Sequence, residues 1–577
     1  MFAAVFNVTD IPEFGAALAT SSANGESDTI NVSAGLFNIP ATLSYYSAES
    51  YSLSIIGAGA DLTILDGGRA RRILGLTSNG SAGDVAIIGI RFQNGVSDDN
   101  GAGLHIETES AKIEIQNCIF ADDSSDVLGG GINLVSNSGN IAVSNCEFYR
   151  NKAEGAGGLN AGTASGNITL TNNLFEENEA YGNETIYADD GGAHMLYTEG
   201  GGTLAIRGCT YIGNISEDGG GGAFSYSNGA GTTIEIDSNF FYENYAELDG
   251  AACFVRLNVG GTVNITRNYF EGNFAEVGGG GVQVHLENGT INYRNNTHIA
   301  DSTWADGGAI LIWLTDGTFN ADSNEFFGCR SAVNGGAFSF ATEEGTANFF
   351  HNISTGNTAG GVGGAYSFAT TYGELNIFNN TSYADSADEG GAIYIYLDQP
   401  TAVSNSYNNI LWNSSPPAFA GSGAGSLMAE FSNIQGGTGE PWFGTGCIDT
   451  DPLFVSAPSG NFRLGWLNFP TDDATKSPCI DTGNPSSPLN TDGTRADMGA
   501  IAYNQVTAIF DQIATPDRIS ISAYPNPFNS AVTITLDDVG AGFTPAYVEI
   551  YDVAGRRIAE IIPPDSPLTR YRYENQG

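Results

Sequence analysis

The stretch Gly307-Gly308-Ala309-Ile310 returns as Gly-Gly-Ala-Phe at 335–338, as Gly-Gly-Ala-Tyr at 363–366 and as Gly-Gly-Ala-Ile at 390–393, at intervals of 27 or 28 residues. Related segments extend the series upstream. Alignment on the third position gives eleven copies: Leu104, Ile132, Leu159, Ala193, Ala223, Ala252, Val282, Ala309, Ala337, Ala365 and Ala392. A constant period of this length is the signature of a solenoid, in which each repeat packs on its neighbours.

A second motif keeps the same period and supplies three further columns. Asn239, Phe241 and Asn244 represent the pattern Asn/Cys-x-aromatic-x-x-Asn. The first column is Cys118, Cys146, Asn173, Cys209, Asn239, Asn268, Asn296, Asn324, Asn352 and Asn380. The second is Phe120, Phe148, Phe175, Tyr211, Phe241, Phe270, His298 and Phe326. The third is Asp123, Asn151, Asn178, Asn214, Asn244, Asn273, Asp301, Cys329, Asn357 and Asp385. Stacked aromatic rings would bury apolar area, and stacked Asn side chains would satisfy one another.

Each repeat holds short runs in which apolar and polar residues alternate, such as residues 221–227 and 233–237. Alternation with period two predicts strands and excludes helices from about residue 50 to residue 410. One turn of chain per repeat then predicts an all-β fold, a right-handed parallel β-helix. Its coils would be stacked about 4.8 Å apart, roughly 13 of them in a rod about 60 Å long.

The two motifs together resemble the polymorphic outer-membrane protein repeat, whose signatures are Gly-Gly-Ala-Ile and Phe-x-x-Asn. Phe148 with Asn151, and Phe270 with Asn273, match the second signature. The resemblance covers residues 100–395. It implies a secreted bacterial protein on the outer surface of a Gram-negative cell, acting in adhesion or in binding an extracellular glycan or protein.

The N-terminal region, residues 1–50, is interpreted as a cap followed by the first coil. It contains the strand-like Phe6-Asn7-Val8, an amphipathic stretch from Ile11 to Leu18, and Asp28 to Val32. This order resembles the opening of bacterial β-helix proteins, in which a short helix plugs the end of the rod. Met1 to Ala4 lacks the basic start and apolar core of a signal peptide, so the chain is interpreted as a mature or trimmed form. Residues 51–410 form the repeats.

Residues 411–503 resemble the choice-of-anchor module that follows β-helices in surface proteins, with motifs at 451–454, 477–483 and 492–500. Cys447 and Cys479 lie outside the repeat columns and are candidates for a disulfide pair. Segment 490–497 resembles half of a calcium loop, although the later acidic ligand is not correctly spaced. Arg495 and Asp497 are interpreted as a structural ion pair.

Residues 504–520 are interpreted as a linker, and residues 521–577 as an incomplete second domain. Tyr524-Pro525-Asn526-Pro527-Phe528-Asn529 resembles the opening of the C-terminal sorting domain of type IX secretion cargo, a small β-sandwich. That resemblance implies the secretion machinery as a partner. The family's final strands have no counterpart before Gly577.

Composition restricts the partners. The 577 residues include 65 acidic and 20 basic side chains, for a net charge of -45. Nucleic acids and anionic membranes need a basic footprint, so neither is expected as a partner. No apolar run is long enough for a membrane span. The 78 glycines without a Gly-X-Y period indicate many tight turns.

Catalytic chemistry is not evident in the sequence. The arginines are scattered singly, and His194, His285 and His298 occupy slots that hold aromatic or apolar residues in other repeats. The sequence therefore assigns no catalytic and no cofactor-binding residue. Acidic residues recur before the Gly pair and would form a stripe with some attraction for calcium, against the plainer interpretation of a solvated turn. They are Asp190, Asp218, Asp249, Glu276, Asp306 and Glu389.

Three hypotheses remain open. The first is an adhesive or binding rod without catalysis, the second a polysaccharide-active lyase or hydrolase of β-helix fold, and the third a structural protein that self-associates into a filament or coat. A groove with an arginine and two or more aspartates on neighbouring coils would indicate the enzyme. An uncapped rod end or a flat repeated face would indicate self-association.

Overall fold

The computed structural model describes residues 4–79, 83–182, 191–217, 219–415 and 417–505, and the backbone of five strands between 520 and 574. The chain divides into two units. Unit 1 comprises Met1–Thr450 with Met498–Ala500, and unit 2 comprises Asp451–Asp497 with Ile501–Gly577. Among the described residues, no helix has the length and apolar character needed to cross a bilayer.

Unit 1 is a parallel β-helix, as the repeat predicts. In a typical coil the chain runs through Ala223–Ser227, Thr232–Asp237, Phe240–Tyr242 and Tyr245–Ala246. Each of these strands pairs in parallel with the equivalent strand of the next coil, which produces four ladders along the axis. The 15-stranded third ladder marks about 15 turns.

Ladders 1 and 2 are the widest, and two strands, Val282–Arg294 and Ile310–Asp322, run unbroken through both. Ladder 1 also contains Leu43–Ser47, Leu74–Ser78, Leu104–Thr108, Ile132–Ser136, Leu159–Thr163, His194–Thr198, Ala223–Ser227, Cys253–Leu257, Phe338–Thr342, Tyr366–Thr370, Ile393–Leu397 and Phe419–Gly423. Ladder 2 also contains Ala4–Val8, Asp28–Val32, Leu53–Gly57, Val85–Ile88, Ile113–Gln116, Ile141–Ser144, Ile168–Thr171, Thr203–Arg207, Thr232–Asp237, Gly261–Thr266, Thr346–Phe350, Glu374–Phe378, Val403–Tyr407 and Ala429–Glu430.

Ladders 3 and 4 are narrower. Ladder 3 contains Gly35–Asn38, Thr63–Asp66, Arg91–Gln93, Ile119–Ala121, Glu147–Tyr149, Leu174–Glu176, Thr210–Ile212, Phe240–Tyr242, Tyr269–Glu271, Thr297–Ile299, Glu325–Phe327, Ile353–Thr355, Thr381–Tyr383, Ile410–Trp412 and Asn433–Ile434. Ladder 4 contains Val96–Ser97, Ser124–Ser125, Lys152–Ala153, Glu179–Ala180, Ile215–Ser216, Tyr245–Ala246, Phe274–Ala275, Ser302–Thr303, Arg330–Ser331 and Thr358–Ala359.

The corners on either side of ladder 3 are made by single residues in the left-handed conformation. Between ladders 2 and 3 these are Gly89, Asn117, Asn145, Asn172, Gly208, Ser238, Arg267, Asn295, Ser323, His351, Asn379 and Asn408. Between ladders 3 and 4 they include Asp122, Arg150, Glu177, Glu243, Ala300 and Ala384. A non-glycine residue pays roughly 1–2 kcal/mol for this conformation, which the stacked side chains beside each corner must offset.

The predicted Asn columns form hydrogen-bonded ladders in the core. The Oδ1 atom of Asn268 accepts from the backbone N–H of Asn239 at 2.9 Å and from its Nδ2 at 3.0 Å. The Nδ2 atom of Asn268 donates to the carbonyl of Ile236 at 2.8 Å and to Asn296 Oδ1 at 3.0 Å. Each side chain therefore satisfies the corner of the preceding coil as well as itself, which is what a fully buried amide requires.

The aromatic column is also confirmed. It extends from Phe92 through Phe148 and Tyr211 to Phe326, with successive ring centroids 4.3–5.5 Å apart and interplanar angles of 3–16°. His298 takes one place in this stack, 4.3 Å from Phe270. The column fills the interior behind ladder 3.

The alignment of the Gly-Gly-Ala motif needs a correction of one residue. In the observed register Leu159 pairs with His194 and Val282 with Ile310, so Ala193 and Ala309 lie one position earlier than the alignment placed them. Ala252, Ala337, Ala365 and Ala392 shift in the same way. The preceding Gly336 is needed for space, because a Cβ there would lie 2.0 Å from the carbonyl oxygen of Gly364.

The predicted N-terminal helix spans Ile11–Ser21. Asp10 caps it by accepting the Glu13 N–H at 2.9 Å, and the Glu13 carboxylate accepts the Thr9 N–H at 2.8 Å. Phe14 and Leu18 are fully buried against the first coils. This reciprocal cap fixes the start of a helix that covers the end of the core.

Unit 2 contains an antiparallel pair, Phe454–Ser456 with Asn461–Leu464, around the 3-10 helix Ala457–Ser459. Its later strands form two antiparallel sheets, Ser520–Tyr524, Ala531–Asp537 and Thr569–Glu574 in one and Val548–Tyr551 and Arg557–Ile561 in the other. Their packing as a β-sandwich stays a prediction. Residues 506–519 and 525–530, with most of the linker and the sorting motif, lie outside the described residues.

Asn268→Ala tests the inner ladder. The substitution leaves the backbone N–H and the side-chain amide of Asn239 buried with fewer acceptors, which costs roughly 3–5 kcal/mol. We expect a lower midpoint of urea unfolding, measured by circular dichroism. Asn292→Ala removes a half-exposed Asn from the outer surface and is the matched control, with an expected loss of less than about 1 kcal/mol. Equal losses in the two variants would contradict the role given to the inner ladder.

Candidate functional site

The acidic stripe is only partly within the described residues, because Asp190 and Asp218 fall outside them. Of the other members, Asp249 accepts from Gln283 Nε2 at 2.5 Å and Glu276 accepts from the Tyr245 hydroxyl at 2.8 Å. Asp306 accepts the Asn334 N–H at 2.8 Å. Their carboxylates thus bond protein donors on neighbouring coils. No group of three or more potential metal ligands exists among the described residues.

The segment 490–497 is organised by hydrogen bonds within unit 2. Asp492 accepts from the Thr494 N–H and hydroxyl and from the Gln505 N–H, at 2.7–3.0 Å. Asp497 accepts the Asp481 and Tyr503 N–H groups, each at 2.7 Å. Burial raises the pKa of Asp497 to about 6. These carboxylates support the turn, and the calcium interpretation of the segment stays a prediction.

The predicted disulfide is not formed. Cys447 and Cys479 are both in the thiol form. Arg495, expected to pair with Asp497, donates to the carbonyl oxygens of Gly483 at 2.6 Å and Thr482 at 3.2 Å. Its guanidinium therefore serves to hold a loop.

His194 and His298 are packed inside the protein, as their positions in the repeat predict. His194 lies in the fully buried ladder 1 core and meets the Tyr211 hydroxyl at 2.8 Å. Burial lowers its pKa to about 3, so the ring is neutral. His298 is also fully buried, between the Tyr293 hydroxyl and Asp301, whose Oδ2 lies 2.7 Å from its Nδ1. Solvent does not reach either ring, so neither acts on a dissolved substrate.

Two arginines of the repeat each pair with one aspartate of an adjacent coil. Arg150 pairs with Asp122 at 3.0 Å, and Arg267 with Asp237 at 2.6 Å. Both pairs join residues of adjacent coils at an exposed corner. Ion pairs of this exposure contribute little, about 0–1 kcal/mol.

A groove lies on the outer side of ladder 1. Trp313, Ala341, Ala369 and Tyr396 occupy equivalent positions on four successive coils. The indole is 52% exposed and the phenol ring 41% exposed, whereas the two alanines between them form a low floor. The resulting groove has a volume of about 340 Å³. Its ends are three coils apart, about 14 Å at the rise of a parallel sheet.

The rim of this groove is polar. Glu343 and Asp398 line it together with Thr315 and Thr371. Asp398 Oδ1 accepts from the Tyr396 hydroxyl at 3.0 Å, which holds the phenol in place. The groove therefore combines an apolar floor and aromatic ends with hydrogen-bond acceptors at its edge, the usual composition of a small-ligand site.

Trp313 is held by the coil before it. Its ring stacks on His285 with centroids 4.5 Å apart and an interplanar angle of 10°, and His285 meets Phe254 edge to face at 5.4 Å. Burial, with the charge of Arg256, lowers the pKa of His285 to about 4, so the ring is neutral at pH 7. One face of the indole is thus covered. The other lies towards Ala341, where the small side chain leaves it open to a ligand.

Sequence reasoning did not identify Trp313 or Tyr396. The available signal was Trp313 at an outward position of the alternating run Ile310 to Leu314, where a polar residue is expected. The proximity of Trp313 and Tyr396 was hidden by the 82 residues between them, and by the alanines that make the groove.

No protein-family model and no curated protein matches the chain. Solved structures that resemble it include the catalytic unit of a GH87 α-1,3-glucanase from Streptomyces thermodiastaticus strain HF3-3, with 15% identity, a TM-score of 0.33 and 71% of this chain covered. The Agl-KA catalytic domain has 12% identity, a TM-score of 0.31 and 72% coverage. The chain spans 65% of the length of each of these two.

A PL6 alginate lyase, solved as a complex with a trisaccharide, has 9% identity and a TM-score of 0.33, with 74% of this chain and 86% of that one covered. At these values none of the three likenesses carries an argument about what this chain does.

A buried carboxyl group in the Asn column makes stability depend on pH. Asp385 Oδ1 accepts the Asn357 N–H and Nδ2 at 2.8 and 2.9 Å, and Oδ2 accepts the hydroxyls of Ser354 and Ser382 at 2.8 and 2.6 Å. Complete burial nevertheless raises its pKa from 3.8 to about 6. The folded chain therefore binds this proton more tightly than the unfolded chain does. Its contribution to stability is complete below about pH 4 and is lost as the pH rises through about 6, on the order of 3 kcal/mol.

Asp385→Asn keeps the acceptor at Oδ1 and removes the titration. We expect the variant to gain stability relative to the native chain between pH 4 and pH 7, measured as the difference in free energy of urea unfolding. Asp388→Asn removes an exposed carboxylate three residues away and serves as the control, with a constant difference across this range. Parallel stability curves for native chain and Asp385→Asn would refute the assignment.

Proposed function

We propose that this protein is a non-catalytic glycan-binding rod whose binding site is the groove between Trp313 and Tyr396. The observation that carries the proposal is the placement of two exposed aromatic rings at equivalent positions three coils apart, above an alanine floor. Sugar rings present apolar faces of C–H groups that stack on aromatic rings, and hydroxyl groups that bond polar neighbours. An indole and a phenol supply both kinds of contact with few rotatable bonds to order.

The negative charge of the protein limits the class of glycan that the groove is expected to bind. The chain carries a net charge of -45, and Glu343 and Asp398 stand at the rim. Carboxylates accept hydrogen bonds from sugar hydroxyls but repel uronate or sulfate groups. Neutral glycans or amino sugars are therefore the proposed ligands, as a stretch of a few residues lying along the rod axis.

The cellular setting is part of the proposal. The resemblance of residues 100–395 to surface-protein repeats, and of residues 521–577 to a sorting domain, supports export to the outer surface of a Gram-negative cell. A rod attached there through its C-terminal region would present the groove to glycans of a neighbouring cell or of the matrix. This is the adhesive role that the repeat suggests.

A glycan array followed by calorimetric titration of the strongest ligand tests this function. Trp313→Ala and Tyr396→Ala should each weaken binding by about 10- to 100-fold, because aromatic anchors carry most of the affinity of such sites. Trp304→Ala is the matched control. Trp304 is 60% exposed, packs on Phe274 outside the groove, and should leave affinity unchanged.

Three results would overturn the proposal: an array without a ligand, equal losses from Trp304→Ala and Trp313→Ala, or tightest binding to polyuronates. The same ligands should be incubated with the native chain and analysed for shortened or unsaturated products. Turnover would replace the binding role with that of a polysaccharide-active enzyme.

A further inference from the structure

A second Asn ladder lies on the outer surface of ladder 2, separate from those in the core. Its members are bonded from coil to coil, each Nδ2 donating to the Oδ1 of the preceding Asn at 2.8–3.0 Å. They are Asn264, Asn292, Asn320, Asn348, Asn376 and Asn405. No corner or core packing depends on these side chains, since they lie at the outward positions of the alternation.

The two columns of side chains beside this ladder make the surface nearly flat. On one side stand the threonines Thr262, Thr290, Thr318 and Thr346, followed by Glu374 and Val403. On the other side, Phe350, Phe378 and Tyr407 stack with centroids 5.0 and 5.1 Å apart and an interplanar angle of 3°. We call these three columns over the six coils from 262 to 407 the Asn face.

The Asn face is almost uncharged. Its 18 outward positions include Arg294, Asp322 and Glu374 as the only charged residues, a net charge of -1 in a chain of -45. Solubility alone does not require such an acidic protein to keep a face of this length uncharged. Depletion of charge with aromatic residues retained is instead typical of the centre of a protein interface.

The ladder is also preorganised. Each inner member uses one amide N–H and one lone pair on its neighbours, which leaves a second N–H and a second lone pair for a partner. Because the side chains are already aligned, ordering them on association costs little entropy. The donors and acceptors repeat about every 4.8 Å over six coils, so only a partner with the same repeat satisfies all of them.

We propose that the Asn face binds the Asn face of a second copy of this chain, with the two rods side by side. A second copy of the chain has the same spacing of donors and acceptors. A two-fold axis between the two copies places donors of one ladder opposite acceptors of the other. The column from Thr262 to Val403 of each rod then lies against the column from Thr266 to Tyr407 of its partner.

The size of the face sets the strength of the contact. Six coils of about 4.8 Å and five residues of about 3.3 Å give roughly 450 Å² per copy, or about 900 Å² in total. That is near the lower limit for a specific interface. The dimer should therefore be weak and reversible in solution, and it should be favoured where copies are concentrated on one surface.

The salt dependence of dimerisation is a second property of the same interface. Each copy carries a charge of -45, which opposes association at long range, whereas the contact itself is nearly neutral. Screening by salt removes the repulsion and leaves the hydrogen bonds and apolar contacts. Dimerisation should thus strengthen as salt is raised, opposite to an interface held by ion pairs.

The test is sedimentation velocity of the full chain from about 5 to about 200 μM, in about 0.05 M and about 0.5 M NaCl. We expect the native chain to shift from monomer towards dimer with concentration, and more so at the higher salt. Asn320→Glu with Asn348→Glu places like charges at the centre of the contact and should keep the chain monomeric. Thr355→Glu with Thr358→Glu adds the same charge on ladders 3 and 4 and should dimerise as the native chain does. Circular dichroism confirms that all three are folded.

A native chain that stays monomeric at the highest concentration and salt would overturn the proposal. So would dimerisation of the Asn320/Asn348 variant, or an equal loss in the Thr355/Thr358 variant. Glycan titration of the Asn320/Asn348 variant keeps the two proposals distinct. Loss of glycan affinity without a native dimer would assign the Asn face to a polysaccharide, whereas unchanged affinity leaves the Trp313 groove as the glycan site.

Discussion

The hydrogen bond from one Asn side chain to the next coil is the interaction on which the rest of this structure depends. At each corner the chain turns through a left-handed residue, and the backbone groups there lie outside any strand ladder. The inner Asn side chains supply the missing partners, as Asn268 does for Asn239. Without them every coil would bury unpaired polar groups at its corner, and a stack of about 15 turns would accumulate that penalty.

The same ladders explain why many chemically suggestive residues are buried in the core. Cys118 replaces Asn in one column, Asp301 and Asp385 replace Asn in another, and His298 replaces Phe in the aromatic stack. Each replacement fits the geometry of its column and is buried there. A thiol, carboxyl or imidazole group placed in this core is therefore shielded from any substrate.

The residues that carry function are consequently the outward-facing ones of each strand. Their identity is free to vary between neighbouring coils. The alternation of a strand separates the two sets of side chains, so Trp313 differs from its equivalents on other coils without disturbing the core behind it. Yet position along the axis still matters. A groove arises only where large residues flank small ones, as Trp313 and Tyr396 flank two alanines. A periodic face arises only where the same residue persists, as Asn does from 264 to 405.

The sequence by itself determined the solenoid, because a period of 27 or 28 residues with Asn, aromatic and Gly columns admits few other packings. It also determined the capping helix and the structural role of the buried histidines. It placed six of the eleven aligned positions of the Gly-Gly-Ala column one residue wrong, since Gly and Ala both fit where backbones crowd. The pairing between coils, such as Leu159 with His194, distinguishes them. The groove and the Asn face were decided by the tertiary structure alone. Both depend on which outward residues become neighbours when distant coils stack, and that relation is set by the register between coils and is not visible within any one repeat.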